Sequence, residues 1–330
     1  KTRRRPPELG PMAMRTLISS AFLKDTLQNA LGAEGWTIAA PAEPGPALLG
    51  CAGAHPEAEI LALTPFDDAS ARVIEALPSN LKLIASYGVG ADHIDLAAAR
   101  ARGLHVSTTP DASTPCLADF TMGLIIAACR RMAEGLTLAR SGYGRAMIEA
   151  QNWGLRVSGK TLGIVGMGRV GQALARRARG FDMTIRYHTP RPSAELDAAF
   201  GAQSRSLKAL LEEADIVSLH CPLTPATHHL IDAAALAAMK KDAVLINISR
   251  GPLIDEAALV TALREGALFA AALDVFETEP DIREELRSIE RAFLTPHMAS
   301  ATWESRAGMA EQLIDNIRAF AKDGAPLNPV

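Results

Sequence analysis

Short runs of hydrophobic residues alternate along the chain with longer alanine-rich segments of helical composition. The most prominent runs are RTLIS (15–19), LKLIASYG (81–88), GLHVST (103–108), TLGIVGM (161–167), MTIRY (183–187), ADIVSLH (214–220), AVLINIS (243–249), FAAALDVF (269–276) and AFLTPH (292–297). Unbroken apolar strands joined by helices are typical of parallel sheets that helices cover on both faces. The pattern therefore predicts an α/β fold.

A cluster of turn-forming residues, STTPDASTP at 107–115, divides these runs into two sets. A long helical pattern follows over 116–140, and another at the end of the chain comes after every strand of the second set. We interpret this last helix as one that crosses back to the first domain. The predicted domains are 14–110 with 300–330, and 111–299, so that the second domain is inserted into the first.

Composition narrows the classes of function. The chain of 330 residues has 34 basic and 37 acidic side chains, and this near balance gives no sign of a nucleic-acid-binding surface. Its four cysteines have unrelated spacings, which indicates reduced thiols in a cytoplasmic protein. The histidines show no metal-ligand spacing, and the adjacent His228 and His229 are expected to point apart, so we expect no metal. No run reaches the ~18 apolar residues of a membrane helix, so no membrane is expected either.

The first residues, KTRRRPPELGPM, are basic and rich in proline and show no amphipathic period. We interpret them as a disordered leader or an expression remnant that precedes a fold beginning near Met14.

A glycine-rich loop joins the run TLGIVGM to the helical segment that follows it. The loop is Gly166-Met-Gly168-Arg-Val-Gly171. Gly-x-Gly-x-x-Gly is a weak signal alone, but between a strand and a helix it is typical of dinucleotide binding. The glycines allow a tight turn, close approach of a pyrophosphate and close packing of helix on strand, and the amides of Arg169 and Val170 would meet the phosphates.

Polar side chains follow three of the predicted strands. Arg250 follows AVLINIS, Asp274 and Glu279 lie at and after the end of FAAALDVF, and His297 ends AFLTPH. Each could be an ordinary polar loop residue. Because ligands of open parallel sheets bind beyond the carboxyl ends of the strands, together they offer an anion clamp, a proton donor and a carboxylate to tune it.

At this point a resemblance becomes specific. The segments GMGRVG, NISRGPLIDE, ALDVFETEP and TPH occur in this order, and the chain from about Met14 onward resembles the D-isomer-specific 2-hydroxyacid dehydrogenases, above all glyoxylate and hydroxypyruvate reductases. The resemblance implies two Rossmann-like domains, a flavodoxin-like substrate domain and an inserted dinucleotide-binding domain with a cleft between them, and a homodimer formed through an arm at about 135–160.

The resemblance also implies the site residues. Arg250, Glu279 and His297 are expected to be catalytic, and the amides of Val89 and Gly90, with Arg250, to bind the substrate. The expected cofactor positions are Gly166, Gly168, Arg169, Val170, Gly171, His188, Thr189, Arg191, Cys221, Pro222, Thr227, Ile248, Ser249, Arg250, Asp274, His297, Ala299 and Ser300. Three positions depart from the family pattern, namely Pro115, Gly144 and Ala299, which stand where an acid, a tryptophan and a glycine are usual.

The end of the strand MTIRY suggests which dinucleotide is bound. An acid is usual there, because it accepts hydrogen bonds from the adenosine ribose and so selects NAD. This chain has His188, followed by Thr189 and Arg191, which could hold a 2′-phosphate. We therefore predict a preference for NADP(H), with NAD(H) also possible through the remaining contacts; whether Arg186 takes part stays open.

The sequence thus predicts an oxidoreductase that acts on CH–OH groups and reduces a small 2-oxo acid to the D-2-hydroxy acid with NAD(P)H. Hydroxyphenylpyruvate or 2-ketogluconate reduction is the alternative within the enzymes. The alternative from another class is an NAD(H)-sensing binding protein like the corepressors that resemble this family. Turnover of a simple 2-oxo acid would distinguish an enzyme from a sensor.

Overall fold

The structure, a computed structural model, describes residues 15–43, 47–145 and 149–330. The leader expected before Met14 lies outside these residues. The chain divides into two compact units, which consist of residues 1–113 with 303–330 and of residues 114–302.

The first unit contains one parallel sheet and the helices that cover it. Its strands are β1 (Arg15–Ser19), β2 (Trp36–Ala39), β3 (Ile60–Leu63), β4 (Leu83–Ser86) and β5 (His105–Ser107). Its helices are α1 (Lys24–Leu31), α2 (Ala47–Ala54), α3 (Ala71–Ala76), α4 (Leu96–Ala101) and, from the end of the chain, α13 (Trp303–Asp323). The strand order is β2-β1-β3-β4-β5, which is the flavodoxin-like doubly wound order.

The core of the first unit lies on both faces of this sheet. On one face, Leu17, Leu83 and Tyr87 pack with Leu313 and Ile317 of α13. On the other face, the strands pack against α2, α3 and α4 in a second apolar cluster. All four residues of β3 and all four of β4 are buried, as expected for strands that are covered on both sides.

The second unit contains a larger parallel sheet. Its strands are β6 (Thr161–Val165), β7 (Thr184–His188), β8 (Ala202–Ser204), β9 (Ile216–Leu219), β10 (Val244–Asn247), β11 (Ala270–Leu273) and β12 (Ala292–Leu294). Its helices are α5 (Thr114–Cys129), α6 (Met132–Arg140), α7 (Arg169–Ala178), α8 (Ala194–Phe200), α9 (Leu207–Glu213), α10 (Ala233–Ala238), α11 (Glu256–Arg264) and α12 (Glu284–Arg287).

The strand order of this sheet is β12-β11-β10-β9-β6-β7-β8, with every pair parallel. Counted from β6, it is the dinucleotide-binding order with one further strand at the edge. The order reverses between β6 and β9, so the loops after these strands flank the crevice where ligands of such sheets bind. The predicted α/β fold with two doubly wound sheets is confirmed.

The predicted long helix over 116–140 is wrong in one respect, because the structure has two helices there. Arg131 adopts a left-handed backbone conformation with φ +52° and ends the run between α5 and α6. The Leu155 amide donates to the Cys129 carbonyl at 2.6 Å, so the returning chain takes the place of the next helical turn. A side chain at Gly154 would lie 2.4 Å from that same carbonyl, and only glycine permits this approach.

No helix among the described residues is both long enough and apolar enough to cross a bilayer.

Candidate active site

The glycine-rich loop forms the turn from β6 into α7. Gly166 has φ +102°, and a Cβ there would lie 2.6 Å from the Cys221 amide nitrogen, which brings the loop against the chain that follows β9. A Cβ at Gly171 would lie 2.2 Å from the Gly166 carbonyl oxygen, so this glycine lets α7 pack directly on the turn. Both positions require glycine for structural reasons.

Gly168 differs from these two glycines. Its φ is −79°, which any residue adopts, and a Cβ built on it meets no atom within 4 Å. Among the described residues, no side chain caps the start of α7, which begins with Arg169. A helix start with open space before it suits a phosphate, because its backbone amides and dipole favour an anion. The loop therefore fits a dinucleotide.

The end of β7 carries the residues expected at the adenosine ribose. The His188 carbonyl accepts the Gly166 amide at 2.8 Å, which ties this strand end to the glycine loop, and His188 Nδ1 lies 3.1 Å from the Arg205 carbonyl oxygen. Arg191 is exposed on the loop that follows. Arg186 is engaged elsewhere, because its Nε lies 3.0 Å from Glu213, which also holds Arg205.

The loops after β9 and β10 meet beside the glycine loop. Ser249 Oγ donates to the Cys221 carbonyl at 2.6 Å, and Thr227 Oγ1 donates to the Pro222 carbonyl at 2.7 Å. Ile248 is buried. Burial raises the pKa of the Cys221 thiol to about 11, so it stays protonated at neutral pH. Five of the expected cofactor positions thus lie on these two loops. One hydrogen bond joins the loops to each other and another lies within the first loop.

The three expected catalytic residues come together in the second unit. His297 Nδ1 lies 2.7 Å from Glu279 Oε2, and the other carboxylate oxygen of Glu279 accepts the Phe276 amide at 2.9 Å. Burial alone would raise the pKa of Glu279. The hydrogen bonds from His297 and Phe276, with the charges of His297 and Arg250, hold that pKa below its ordinary value. Glu279 is therefore a carboxylate at neutral pH and fixes the orientation of the imidazole.

Asp274 holds the turn that presents His297. It has no exposed surface, and its carboxylate accepts hydrogen bonds from Thr295 Oγ1 at 2.6 Å and from the amides of Met298 and Ala299 at 2.9 and 2.8 Å. Its carbonyl accepts the His297 amide at 2.8 Å. Burial raises the pKa of Asp274, although these hydrogen bonds act against the rise. Ser300 follows in the same turn.

The expected substrate loop lies in the first unit, directly after β4. Val89 is 43% exposed. Its neighbour Gly88 is buried, its carbonyl accepts the Thr109 amide at 2.8 Å, and a Cβ on it would lie 2.9 Å from Pro65. The loop is therefore fixed from two sides while Val89 faces solvent.

The sequence reasoning did not single out His220, which stands between β9 and Cys221. His220 Nε2 lies 2.8 Å from Ser218 Oγ, and burial lowers the pKa of His220 to about 3, so it is neutral. Its carbonyl carbon lies 2.6 Å from where a Gly166 Cβ would be. In the sequence, the one sign that His220 lies near the site is its position at the end of the run ADIVSLH.

The expectation that His228 and His229 point apart is wrong. Neither lies on a helix or strand, and the left-handed backbone of His229 (φ +49°) brings the two ring centroids to 4.1 Å. Within the described ranges, no three His, Cys, Asp or Glu residues are grouped so as to hold a metal ion.

Comparisons with known proteins agree with this geometry. A family model described as "D-isomer specific 2-hydroxyacid dehydrogenase, NAD binding domain" matches residues 122–299. The glyoxylate reductase of Thermococcus litoralis is 43% identical over 280 residues, which cover 83% of this chain and 84% of that protein. The glyoxylate reductase of Thermococcus kodakarensis is 45% identical over 258 residues, which cover 77% of each chain.

Two solved structures are similar over nearly the whole chain. A glyoxylate reductase from Paecilomyes thermophila superposes with a TM-score of 0.87 at 32% identity, covering 97% of this chain and 99% of that one. An NADPH-dependent glyoxylate/hydroxypyruvate reductase from Sinorhizobium meliloti, in complex with NADP and malonate, has a TM-score of 0.86 at 31% identity, covering 96% of this chain and 97% of that one.

Proposed function

Because the chain belongs to the family of D-isomer-specific 2-hydroxyacid dehydrogenases, it is an NAD(P)-dependent oxidoreductase, and we propose that it reduces glyoxylate and hydroxypyruvate with NADPH. The observation that carries the proposal is the His297–Glu279 hydrogen bond of 2.7 Å, with the charge of Arg250 acting on the same carboxylate. The His297 imidazole, held by the Glu279 carboxylate, can protonate the carbonyl oxygen of a 2-oxo acid. The guanidinium of Arg250 can bind the negatively charged substrate.

The roles of the three residues follow from their chemistry. A reduced nicotinamide, when bound, supplies a hydride to the C2 carbon of the 2-oxo acid. His297 donates the proton from its Nε2 to the carbonyl oxygen, which becomes the 2-hydroxyl, because its Nδ1 is engaged by Glu279. Arg250 binds and orients the substrate through its planar guanidinium. In the oxidative direction His297 accepts the same proton.

We assign the substrate carboxylate to the backbone amides of Val89 and Gly90. The loop around Gly88 is fixed by the Thr109 amide and by Pro65, so the following amides are oriented before any ligand binds. Such preorganised amides bind an anion without the cost of ordering a loop.

We assign the pyrophosphate of the cofactor to the glycine loop and the start of α7. The remaining contacts are assigned to the loops after β9 and β10, at Cys221, Pro222, Thr227, Ile248 and Ser249, to Asp274 directly after β11, and to the turn at Ala299 and Ser300 after β12. Since both oxygens of the Asp274 carboxylate accept hydrogen bonds from that turn, the contribution assigned to Asp274 is to fix the backbone there.

Preference for NADPH rests on the end of β7. No acid stands there to repel a 2′-phosphate, and His188, Thr189 and the exposed Arg191 offer donors and positive charge. Arg186 is excluded from this group, because it is paired with Glu213.

A matched pair of variants tests the preference. We expect Arg191→Ala to lower kcat/KM with NADPH by about tenfold or more and to change that with NADH by less than about threefold. Arg186→Ala, which removes a cation of the same strand that already has a partner, should leave the ratio of the two cofactors unchanged. Equal or better use of NADH by the parent protein contradicts the preference.

We also propose a homodimer, formed by the predicted arm. Exposed apolar side chains lie in the arm, at Leu136 (52%) and Trp153 (61%), and just before it, at Met132 (54%). A pocket of about 600 Å³ lined by Trp153, Leu155 and Phe181 adjoins them. Large apolar side chains grouped on a surface mark protein contacts. Light scattering of the parent should give twice the chain mass of 35.0 kDa, and Trp153→Arg should reduce it to one chain mass.

A cytoplasmic location is part of the proposal. It is supported by the four cysteines, all of which are thiols, as a reducing compartment favours.

A substrate panel tests the proposed reaction. Oxidation of NADPH is followed with glyoxylate, hydroxypyruvate, 2-ketogluconate, pyruvate and phenylpyruvate, and we expect the first two to give the highest kcat/KM. The highest value with phenylpyruvate or 2-ketogluconate would favour another substrate class. No turnover of any 2-oxo acid, together with tight dinucleotide binding, would favour a sensing protein.

A further inference from the structure

The loop that carries Glu279 contains a second carboxylate in contact with a second imidazole. Glu279 bonds to His297 Nδ1 at 2.7 Å, and Glu277, two residues earlier, lies 2.5 Å from His229 Nε2. The reaction proposed above uses the first pair and gives no role to the second. His229 is also one of the described non-glycine residues with a left-handed backbone, at φ +49°, and such an outlier is a reason to ask for a function.

The backbone of His229 is anchored to the turn that follows Arg250. Its amide donates to the Pro252 carbonyl at 2.8 Å, while its ring contacts Glu277. The same turn lies against the Glu279 loop, because a Cβ on Gly251 would lie 1.9 Å from the Phe276 carbonyl carbon. His229 is thus bonded at once to the segment of Arg250 and to the segment of Glu279.

A group of charged side chains adjoins this contact, and Glu256 is the buried member of the group. Glu256 is 1% exposed, its Oε1 accepts the Glu277 amide at 2.7 Å, and its Oε2 lies 3.5 Å from Arg283 Nε. Arg283 also lies 3.7 Å from Glu277. Burial raises the pKa of Glu256, and the charge of Glu277 adds to the rise. Two carboxylates therefore share one guanidinium. The Glu277 carboxylate also contacts the His229 ring through one oxygen and accepts the Glu256 amide at 3.4 Å through the other.

We propose that His229 and Glu277 are positioning residues that hold the turn after Arg250 and the loop of Glu279 in register, so that Glu279 meets His297. The inference rests on the proposed reaction for its meaning. Neither residue touches the reacting atoms; both act through Glu279 and Arg250. A displacement of about 1 Å in such a group is enough to lower turnover strongly without loss of binding.

The test replaces His229 by Asn. Asn tolerates the left-handed conformation well, but it is too short to place a donor where Nε2 lies. We expect kcat for hydroxypyruvate to fall by about tenfold or more, while KM and the Kd of NADPH stay within about threefold of the parent. His228→Asn is the matched control, because it removes the neighbouring ring, and it should stay within about twofold of the parent. A smaller fall in kcat, or an equal fall in the control, overturns the proposal.

Two further variants separate positioning from a general loss of stability. His229→Gln places an amide donor near the reach of Nε2, and it should recover most of the lost kcat. In the double variant His229→Asn with Glu277→Gln, the losses should not add, because both changes break one contact. Failure of His229→Gln to recover kcat, or full additivity in the double variant, counts against the proposal. If His229→Asn does not fold, His229→Gln against Glu277→Gln carries the same comparison.

A readout without activity keeps this proposal distinct from the proposed function. We expect Glu279→Gln to lower the thermal midpoint, and the difference from the parent should shrink only as the pH falls below the ordinary pKa of 4.5, because Glu279 stabilises the fold only as a carboxylate. In the His229→Asn background the difference near neutral pH should be at least halved. An undiminished difference overturns the positioning role even if the parent reduces no 2-oxo acid, whereas inactivity of the parent alone overturns only the proposed function.

Discussion

His297 adopts a left-handed backbone conformation with φ +50°. The turn is held there by three donors to the Asp274 carboxylate and by the His297 amide, which bonds to the Asp274 and Thr295 carbonyls at 2.8 and 3.0 Å. Histidine enters this region more readily than most residues that have a Cβ. The ring is therefore presented by a turn that its neighbours fix rather than by its own preference.

The lowered pKa of Glu279 gives a prediction for stability against pH. Its pKa lies below the ordinary value of 4.5 in the folded protein, so its contribution to stability is present above that value and is lost as pH falls through the folded pKa. We expect the parent to exceed Glu279→Gln in thermal midpoint at neutral pH and to lose this advantage in acid. Glu57→Gln is the control. Glu57 pairs with His55 on the surface, where solvent screens the charges, so its replacement should change the thermal midpoint little at any pH. A difference that stays constant or grows in acid contradicts the assignment of a carboxylate.

The proximity of the candidate catalytic residues could be predicted from the sequence, but their conformations could not. Arg250, Glu279 and His297 follow predicted strands, and parallel strands end at one edge, so their proximity follows from the fold class. The left-handed turns at His229 and His297 depend on hydrogen bonds from residues far along the chain, such as Asp274. No local pattern reports such bonds.

The start of α7 is the element to which we assign the pyrophosphate of the dinucleotide. The three glycines of its loop have different structural requirements: Gly166 and Gly171 are packed against backbone, whereas Gly168 faces open space. Gly166 and Gly171 are thus needed for the turn to fold, whereas Gly168 leaves room in front of the helix.

This difference predicts that an alanine at position 168 weakens NADPH binding and leaves the stability of the fold unchanged. Gly168→Ala should leave the thermal midpoint within about 2 °C of the parent and raise the Kd of NADPH by about tenfold or more, because the methyl group fills the space of the phosphate. Titration of NADPH fluorescence measures the Kd. Gly180→Ala is the control, since a Cβ there also meets no atom within 4 Å and the residue lies outside the loop. Unchanged NADPH binding in Gly168→Ala would mean that the phosphates bind elsewhere.

At the scale of elements, the hydrophobic runs include central and edge strands alike, and they omit the edge strand β2, the buried central strand β3 and the edge strand β8. The runs that form β1, β6, β9, β10 and β11 were recognised because continuous apolar residues identify a central strand. The edge strand β8, with the sequence AQS, has no such run. The break at Arg131 was missed because it is imposed by the returning segment at Gly154 and Leu155, which lies about twenty residues later.

At the scale of the molecule, the candidate site residues are distributed over two compact units. The second unit contains the glycine loop and the residues Arg250, Glu279 and His297, while the loop at Val89 belongs to the first. The chain returns to the first unit at α13, whose apolar residues complete the core of that sheet. The dinucleotide and the substrate carboxylate are accordingly assigned to different units.

Hydrogen exchange can test this division. With NADPH alone, we expect slower exchange in the loops after β6, β9 and β10, at 166–171, 220–227 and 248–250, because bound phosphates and ribose order these backbones. Addition of oxalate, an unreactive dicarboxylate, should then slow exchange at 88–91. Protection by oxalate that is confined to the second unit would remove the carboxylate from Val89 and Gly90.

Proton donation by His297 is the step on which the proposed reaction depends most, and one comparison tests it directly. Turnover of hydroxypyruvate and the Kd of NADPH are measured on the same preparations of the parent, His297→Gln and His55→Gln, the last of which breaks a surface histidine–glutamate pair with a separation of 3.2 Å. We expect kcat in His297→Gln to fall by roughly 100- to 10,000-fold, with the Kd of NADPH within about threefold of the parent, and His55→Gln to match the parent. Turnover of His297→Gln close to that of the parent would contradict the account.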